Sequence, residues 1–466
     1  MKNRYADKWL CGVLLTSFIG MASALPAETA PGIIGKNEWL FYRYELSDTS
    51  DSAMTAESIS LIRRLNKVLA TQGISMAVTM VPLKMRIYAE YLPDDIKLND
   101  YTAGNYERMN KALQAGDVTT IDLNAAFLGS AKRNSDSPFF FRLDTHWTPA
   151  GAMLAAETIR SGIDANPILK KAFDAIPVEV FKITVGNRKR PSKGRDLIEQ
   201  LPPNSLTFAP EQMTPVNVSR AQPQKEDLFG KRAPIGLTLL GSSYSHEWTG
   251  FADALRYVLQ RDVLSVSVGA DKGSWVGIES YLRDDAFQTQ APKILIWEMP
   301  ERDMRAPPDY KFRDARYVSS NTEWLLRASA WVQASCKPSS VKARVVPVGL
   351  AANAANLKSG DVVTGPTNDT DFIEISFDKP MDNLDYLMAR TTTAGSKSII
   401  LEGSGSGVAT RRFTMDVAGD DAAHALKTPL PSTGTGFTKL RIFPGKSISF
   451  ALQGLQVCRQ PEDLLK

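Results

Sequence analysis

From Thr55 to Gln72 the apolar side chains fall at Ile59, Ile62, Leu65, Val68 and Leu69, a spacing that lines them along one helical stripe. Ile74 to Val81 follows as a short apolar run ending at Pro82, which predicts a buried strand. Tyr106 to Gln114 reads as helix and Val118 to Leu123 as strand. Thr148 and Pro149 supply an N-cap and a proline at the first helical position, so the alanine-rich stretch to Ile159 is predicted to be helical. Leu237–Leu240, Val263–Val268 and Ile294–Met299 are further short apolar runs with helical segments between them. Strand alternating with helix predicts an α/β domain, a parallel sheet flanked by helices on both faces.

The pattern changes after Trp331. Phe372–Phe377, Ser398–Leu401, Arg411–Val417 and Lys439–Phe443 are short, often alternating, and separated by clusters of Gly, Ser, Asn, Asp and Thr. That pattern predicts an antiparallel β-sandwich. All eight tryptophans lie at or before Trp331, which marks the same boundary by composition. Two folded parts are expected, residues 28–335 and 336–466, with the hinge near Cys336.

The first residues form neither part. Lys2, Arg4 and Lys8 make a basic start, Trp9 to Met21 is an uncharged apolar run, and Ala22-Ser23-Ala24 and Leu25-Pro26-Ala27 are small-residue cleavage sites. Residues 1–27 therefore read as a secretory signal peptide. The apolar run is shorter than the roughly 20 residues of a spanning helix. An exported, soluble mature protein is expected. Cys11 falls in this leader, leaving Cys336 and Cys458, and two cysteines in an exported protein more often pair than stay free. Such a bridge would clasp the last quarter of the chain at its two ends. These cysteines and the three histidines offer no zinc-ligand spacing, so no metal site is expected. The net charge of +4 on 466 residues is too near neutral to argue for a nucleic-acid partner.

Chemistry concentrates in three segments. In Leu239-Leu240-Gly241-Ser242-Ser243-Tyr244-Ser245 an apolar strand ends in glycine and runs into serines beside a helix start. Free backbone N–H groups at such a turn can hold a developing oxyanion, although serines there also serve as ordinary helix caps. In Asp144-Thr145-His146-Trp147 a carboxylate precedes a histidine by two residues, which suits a general base and the group that orients it. An Asp-capped turn with a structural histidine has the same spelling. His246, three residues after Ser243, is a competing base, and His424 is expected to be exposed. Ile294 to Arg302 is a strand running into charges, where Glu298 and Arg302 would line a ligand crevice or form a structural ion pair.

Taken in order, Gly35-Lys36-Asn37-Glu38-Trp39-Leu40-Phe41, Val81-Pro82-Leu83-Lys84, Asp144-Thr145-His146-Trp147, Gly194-Arg195-Asp196-Leu197, Gly241 to Ser245 and Trp297-Glu298-Met299-Pro300-Glu301-Arg302 resemble the alginate O-acetyltransferases of the bacterial periplasm, which are SGNH-hydrolase-like. The resemblance spans roughly residues 30–335. The added C-terminal sandwich looks like the AlgX-type branch, which carries a carbohydrate-binding module, rather than the AlgJ-type branch. The resemblance implies Ser243 as the nucleophile that takes acetyl, His146 as base and Asp144 as its orienter. Asp and His precede Ser, a permuted order relative to ordinary SGNH esterases. The familiar Gly-Asp-Ser is here Gly241-Ser242-Ser243, which leaves two adjacent hydroxyls at the turn, and Tyr244 fits an aromatic position.

The same resemblance implies a periplasmic enzyme with an acidic, alginate-like polysaccharide as acceptor. Such an enzyme needs no cofactor beyond an acetyl donor supplied by a membrane acyltransferase partner, and other alginate export proteins are expected partners. No tryptophan lies in the sandwich, so Arg390, Lys397, Arg411, Arg412, Lys427 and Arg441 are its candidates for pairing with uronate carboxylates, or else a solvated charged face. The basic run Arg188 to Arg195 would guide a polyanion or simply be a solvated loop. Two further readings remain: an acetylesterase using the same three residues, and a non-catalytic polymer-binding scaffold.

Overall fold

The computed structural model describes residues 30–223, 234–346, 361–429 and 436–466. The predicted signal peptide, with Cys11, lies outside the described residues. Five parallel strands form the central sheet: β1 (Ser75–Val81), β2 (Thr119–Ile121), β3 (Leu237–Gly241), β4 (Leu264–Ser267) and β5 (Ile294–Pro300), in the order β4-β3-β5-β1-β2. Strand β5 sits in the middle, with Ile296 opposite Leu239 on one side and Ala77 on the other. All seven of its residues are buried. A strand covered on both faces loses alternation and reads as a continuous apolar run.

Successive side chains of β5 serve different layers. Ile294 and Ile296 pack with the helices α3 (Pro149–Ala165) and α4 (Phe251–Leu259). Leu295, Trp297 and Met299 pack on the opposite face with α1 (Ser52–Thr71), α2 (Asp100–Gln114), α5 (Ser274–Arg283) and α6 (Asn321–Val332). Each such fully buried side chain contributes about 1.5–3 kcal/mol. Helix α3 starts as the sequence predicts: the Thr148 hydroxyl accepts the Gly151 N–H and Pro149 opens the first turn. Among the described residues no helix is long and apolar enough to cross a membrane.

After α6 the regular elements among the described residues are all β. One antiparallel sheet has the order β6-β8-β13-β10-β11, formed by Ala343–Val346, Ile373–Phe377, Lys439–Phe443, Ser398–Gly405 and Val408–Asp416. The other has the order β7-β14-β9-β12, formed by Val362–Thr364, Phe450–Arg459, Asp385–Thr392 and His424–Pro429. Ile375, Leu401 and Leu440 of the first meet Leu387, Leu426 and Leu452 of the second in a shared core.

The second sheet also covers α6. The buried Lys427 ammonium donates to the carbonyls of Trp331 (3.3 Å) and Gln333 (2.6 Å), and Gln460 donates to Leu326 at 3.1 Å. Lys427 is therefore spent on the end of α6 and does not face sugar, contrary to its reading as a carboxylate partner. His424 is not the exposed residue expected from sequence either: Asp285 and Asp420 each stand 2.7 Å from one of its ring nitrogens. Cys336 and Cys458 are joined by a disulfide that closes the all-β segment at its two ends.

Candidate active site

The carboxyl end of β3 turns sharply at Gly241. A Cβ there would lie 2.0 Å from the Ser245 hydroxyl and 2.6 Å from a Glu298 carboxylate oxygen, so only glycine fits. Ser242 stays extended, and a short 3-10 turn over Ser243–Ser245 follows. The two adjacent hydroxyls then part company. Ser242 Oγ donates to Glu298 at 2.8 Å, whereas Ser243 Oγ lies 2.8 Å from His146 Nε2.

His146 arrives from the segment that leads into α3. Its Nδ1 is 2.6 Å from Asp144 Oδ1, and the same oxygen accepts the His146 backbone N–H at 2.8 Å. A hydrogen-bonded chain thus runs from Ser243 through His146 to Asp144, with Asp144 and His146 both buried. Burial pushes the Asp144 carboxyl up, but the His146 hydrogen bond and charge and two backbone N–H groups outweigh it and hold it below the usual carboxylate range. His246, the competing base, instead places Nδ1 2.8 Å from Ser267 Oγ.

Supports unassigned in the sequence reading hold this turn. Asp196 donates its backbone N–H to Asp144 Oδ2 at 2.9 Å, and its own carboxylate accepts the N–H (2.7 Å) and hydroxyl (2.5 Å) of Thr145. Burial, then the Asp144 charge, push the Asp196 carboxyl up. The fully buried Lys84 ammonium donates to the carbonyls of Leu40, Arg142 and Asp144 at 2.6, 2.9 and 2.9 Å. Burial pulls it down to about 8 against the pull of nearby carboxylates. Both residues stand inside motifs that carry the family resemblance, and only that placement marks them. Asp144, His146 and Asp196 also bring their ligand atoms within 4.8 Å of one another, as a metal site would require. The hydrogen bonds among them already account for the grouping.

The remaining candidates separate. Tyr244 is buried, with its ring 4.8 Å from the imidazole and its hydroxyl donating to the Thr145 carbonyl at 2.7 Å. Arg302 reaches that hydroxyl at 3.4 Å and lies over the Tyr244 ring. Glu298 lies beneath the turn with no exposure rather than in the crevice; it accepts the Ser242 N–H at 2.9 Å and the Ser245 hydroxyl at 2.7 Å. Burial pushes its carboxyl up to about 7, against the lowering by those serines. Arg390 lies on one sheet of the sandwich, donating to the Ala423 carbonyl, and Arg411 and Arg412 lie on the other. Arg412 pairs with Glu402 at 2.6 Å, and Arg441 with Glu374 at 2.9 Å. Trp248, not singled out in the sequence, stands half-exposed with its ring 4.9 Å from His146.

Residues 33–301 match the sequence model described as ALGX, SGNH hydrolase-like domain, acetyltransferase AlgX. The probable alginate O-acetylase AlgJ of Pseudomonas putida is 29% identical over 307 residues, covering 63% of this chain and 75% of that protein. The solved O-acetyltransferase domain of Pseudomonas putida AlgJ superposes with a TM-score of 0.53 at 25% identity, covering 64% of this chain and 98% of that one. The solved Pseudomonas aeruginosa AlgX shares the fold along 92% of this chain and 94% of its own, with a TM-score of 0.61 at 16% identity.

Proposed function

The chain belongs to the family of SGNH hydrolase-like acetyltransferases typified by AlgX, and on that premise we propose that it moves acetyl groups through Ser243 onto hydroxyls of alginate or a similar uronate polymer. The observation that carries this reading is the chain of contacts Ser243 Oγ–His146 Nε2 at 2.8 Å and His146 Nδ1–Asp144 Oδ1 at 2.6 Å. In the first half-reaction Ser243 Oγ attacks the acyl carbon of the donor while His146 Nε2 takes its proton. The acyl C–O bond to the donor breaks, and His146 returns the proton to the leaving oxygen. Asp144 keeps the imidazole aligned and offsets its charge. With the N–H groups of Ser242, Tyr244 and Ser245 bonded within the turn, the Ser243 backbone N–H meets the transient oxyanion. In the second half-reaction a sugar hydroxyl gives its proton to His146 and attacks the acetyl carbon of acetyl-Ser243; the bond from that carbon to Ser243 Oγ breaks, and His146 returns the proton to Oγ. Transfer rather than hydrolysis requires that bound sugar displace water, and the half-exposed Trp248 beside His146 is placed for that packing.

Export to the periplasm fits the basic-apolar leader of residues 1–27 and the Cys336–Cys458 disulfide, since such bonds persist in oxidising compartments. A membrane acyltransferase would present the acetyl donor, and the names of the relatives support an acceptor in the alginate pathway. The deciding experiment mixes the protein with an activated acetyl ester and polymannuronate oligomers and follows oligomer mass, with Ser243→Ala in parallel. A Ser243-dependent gain of one acetyl mass supports the transferase. Ester cleavage with no gain on the oligomer would turn the reading to an esterase.

A further inference from the structure

The basic run singled out in the sequence lies against the catalytic turn. Its residues Arg188, Lys189, Arg190 and Lys193 are all exposed, and no described carboxylate comes within the 4.0 Å of an ion pair with any of them. The run is nevertheless tethered. Arg190 and Pro191 pair with Met213 and Gln212, the Ser192 N–H donates to the Glu211 carbonyl at 2.7 Å, and the Gly194 N–H to Ser192 Oγ at 3.0 Å. Two residues later the Asp196 N–H reaches Asp144. Gly194 abuts that carboxylate so closely that a Cβ would stand 3.1 Å from it. Four cations unpaired among the described residues thus stand on a strap bolted to the catalytic aspartate and concentrate positive potential beside the site.

Behind the strap lies a cavity of about 480 Å³. Lys189 lines one wall, Arg133 and Arg142 add two further cations, and the partly exposed Tyr91 gives the aromatic surface, Trp39 and Phe141 being buried in the lining. Trp39 and Tyr91 are stacked 4.9 Å apart and 13° from parallel. The Arg142 guanidinium forms ion pairs with Glu38 and Glu211, each at 3.6 Å, longer than a hydrogen bond. Of the two carboxylates lining the cavity, Glu211 is already committed to the backbone N–H groups of Arg142 and Leu143, and Asp136 is the other. Aromatic faces suit the C–H faces of a sugar ring, and guanidinium and ammonium groups suit its carboxylate.

We propose that this cavity and the strap of residues 188–193 form a binding subsite for uronate residues of an acidic polysaccharide, flanking the acetyl-transfer centre. The assignment rests on the polysaccharide acceptor of the proposed function. The test uses Ser243→Ala protein, which cannot turn over, titrated with polymannuronate oligosaccharides at several salt concentrations. It is compared with the same protein carrying Lys189→Ala, Arg190→Ala and Lys193→Ala, and separately with one carrying only Arg142→Gln. The expected result is a Kd about tenfold higher with the neutralised strap and a flatter salt dependence, with a smaller rise for Arg142→Gln. Neutral cello-oligosaccharides of equal length should bind both parent and variants weakly and without salt dependence. Unchanged Kd and salt slope in both variants, or equal binding of neutral oligomers, would overturn the subsite. Acetyl transfer by the unmutated protein with strap-independent binding would remove the subsite alone. Strap-dependent binding by a protein that never transfers acetyl would remove the transferase alone.

Discussion

Glu298 accepts both the backbone N–H of Ser242, at 2.9 Å, and its hydroxyl, at 2.8 Å, from a position with no solvent exposure. With the Ser245 hydroxyl also donating to it, the carboxylate ties down the residues on either side of Ser243. The hydroxyl of Ser243 is left to His146 alone. The neighbouring central strand thus supplies a carboxylate under the turn, where a Gly-Asp-Ser turn would carry one within itself.

That buried carboxyl makes stability depend on pH. Its native value is raised to about 7 from an ordinary 4.5, so between those values the native state binds more protons than the unfolded chain. Its contribution is therefore most favourable below pH 4.5 and declines as pH rises to about 7. Glu298→Gln cannot titrate. Stability of the unmutated protein minus that of the variant should fall from pH 5 to pH 8 by at most ~3 kcal/mol, read by urea denaturation at both values. A difference that stays flat would sink the idea.

Asp196 is predicted to act through the turn it holds. Asp196→Ala removes the anchor on the Thr145 N–H and hydroxyl, and a shift of the His146 ring by a fraction of an ångström should lower kcat for ester cleavage roughly 10–100-fold. KM for a small ester should change little. Asp196→Asn, which keeps an acceptor for Thr145, should recover most of the rate. Full activity in Asp196→Ala would contradict the role.

His424 faces a carboxylate at each ring nitrogen, Asp285 from the α/β part and Asp420 from the sandwich. Only the imidazolium donates from both nitrogens. The hydrogen bond with Asp420, opposed by burial and joined by Asp285, raises its proton affinity above the ordinary 6.5. Its stabilising contribution is fully present below pH 6.5 and lost as pH rises through the raised native value. Asp285→Asn should therefore weaken the protein at pH 6 and leave it close to unmutated at pH 9. Equal destabilisation at both pH values would show that the ring's charge is irrelevant.

The disulfide closes a loop of 122 residues, and on chain entropy alone its loss should cost about 4–5 kcal/mol. Replacing Cys336 and Cys458 with serine should lower the urea midpoint seen by far-ultraviolet circular dichroism. Tryptophan fluorescence reports mainly the α/β part, since no tryptophan lies beyond Trp331. An unmoved dichroism midpoint would refute the estimate.

The parts legible in the sequence were those governed by local spacing. The helix read over Thr55–Gln72 spans Ser52–Thr71, and the run Ile294–Met299 is the strand Ile294–Pro300. The pair Asp144 and His146 was visible because they lie two positions apart, and Ser243 because a glycine turn ends its strand. All four strands recognised in the sandwich belong to one sheet, whose outer face is solvated and therefore alternates. Strands β9 and β12 pack against both the sandwich core and α6, so burial runs on through Asp385–Leu387 and Leu426–Pro429 and the alternation fades. Glu298 drew notice as a charge in an apolar strand, but strand period alone does not tell the crevice from the underside of a neighbouring turn. Lys84 and Asp196 act across 60 and 52 residues of chain, a relationship no local pattern encodes.

The position of β5 bears on how the molecule is assembled. It is the last strand of its sheet to leave the ribosome and the one in the middle. Until residue 300 is made, the chain holds two separate strand pairs, β1 with β2 and β3 with β4, each with an open inner edge. Closing the sheet is thus a long-range, late event that draws the Ser243 turn and the amino-terminal half together in one step, with Glu298 arriving under the turn as the strand inserts. A nascent chain stalled or cleaved before β5 would carry two unpaired edges and no assembled nucleophile, a species expected to aggregate rather than to react.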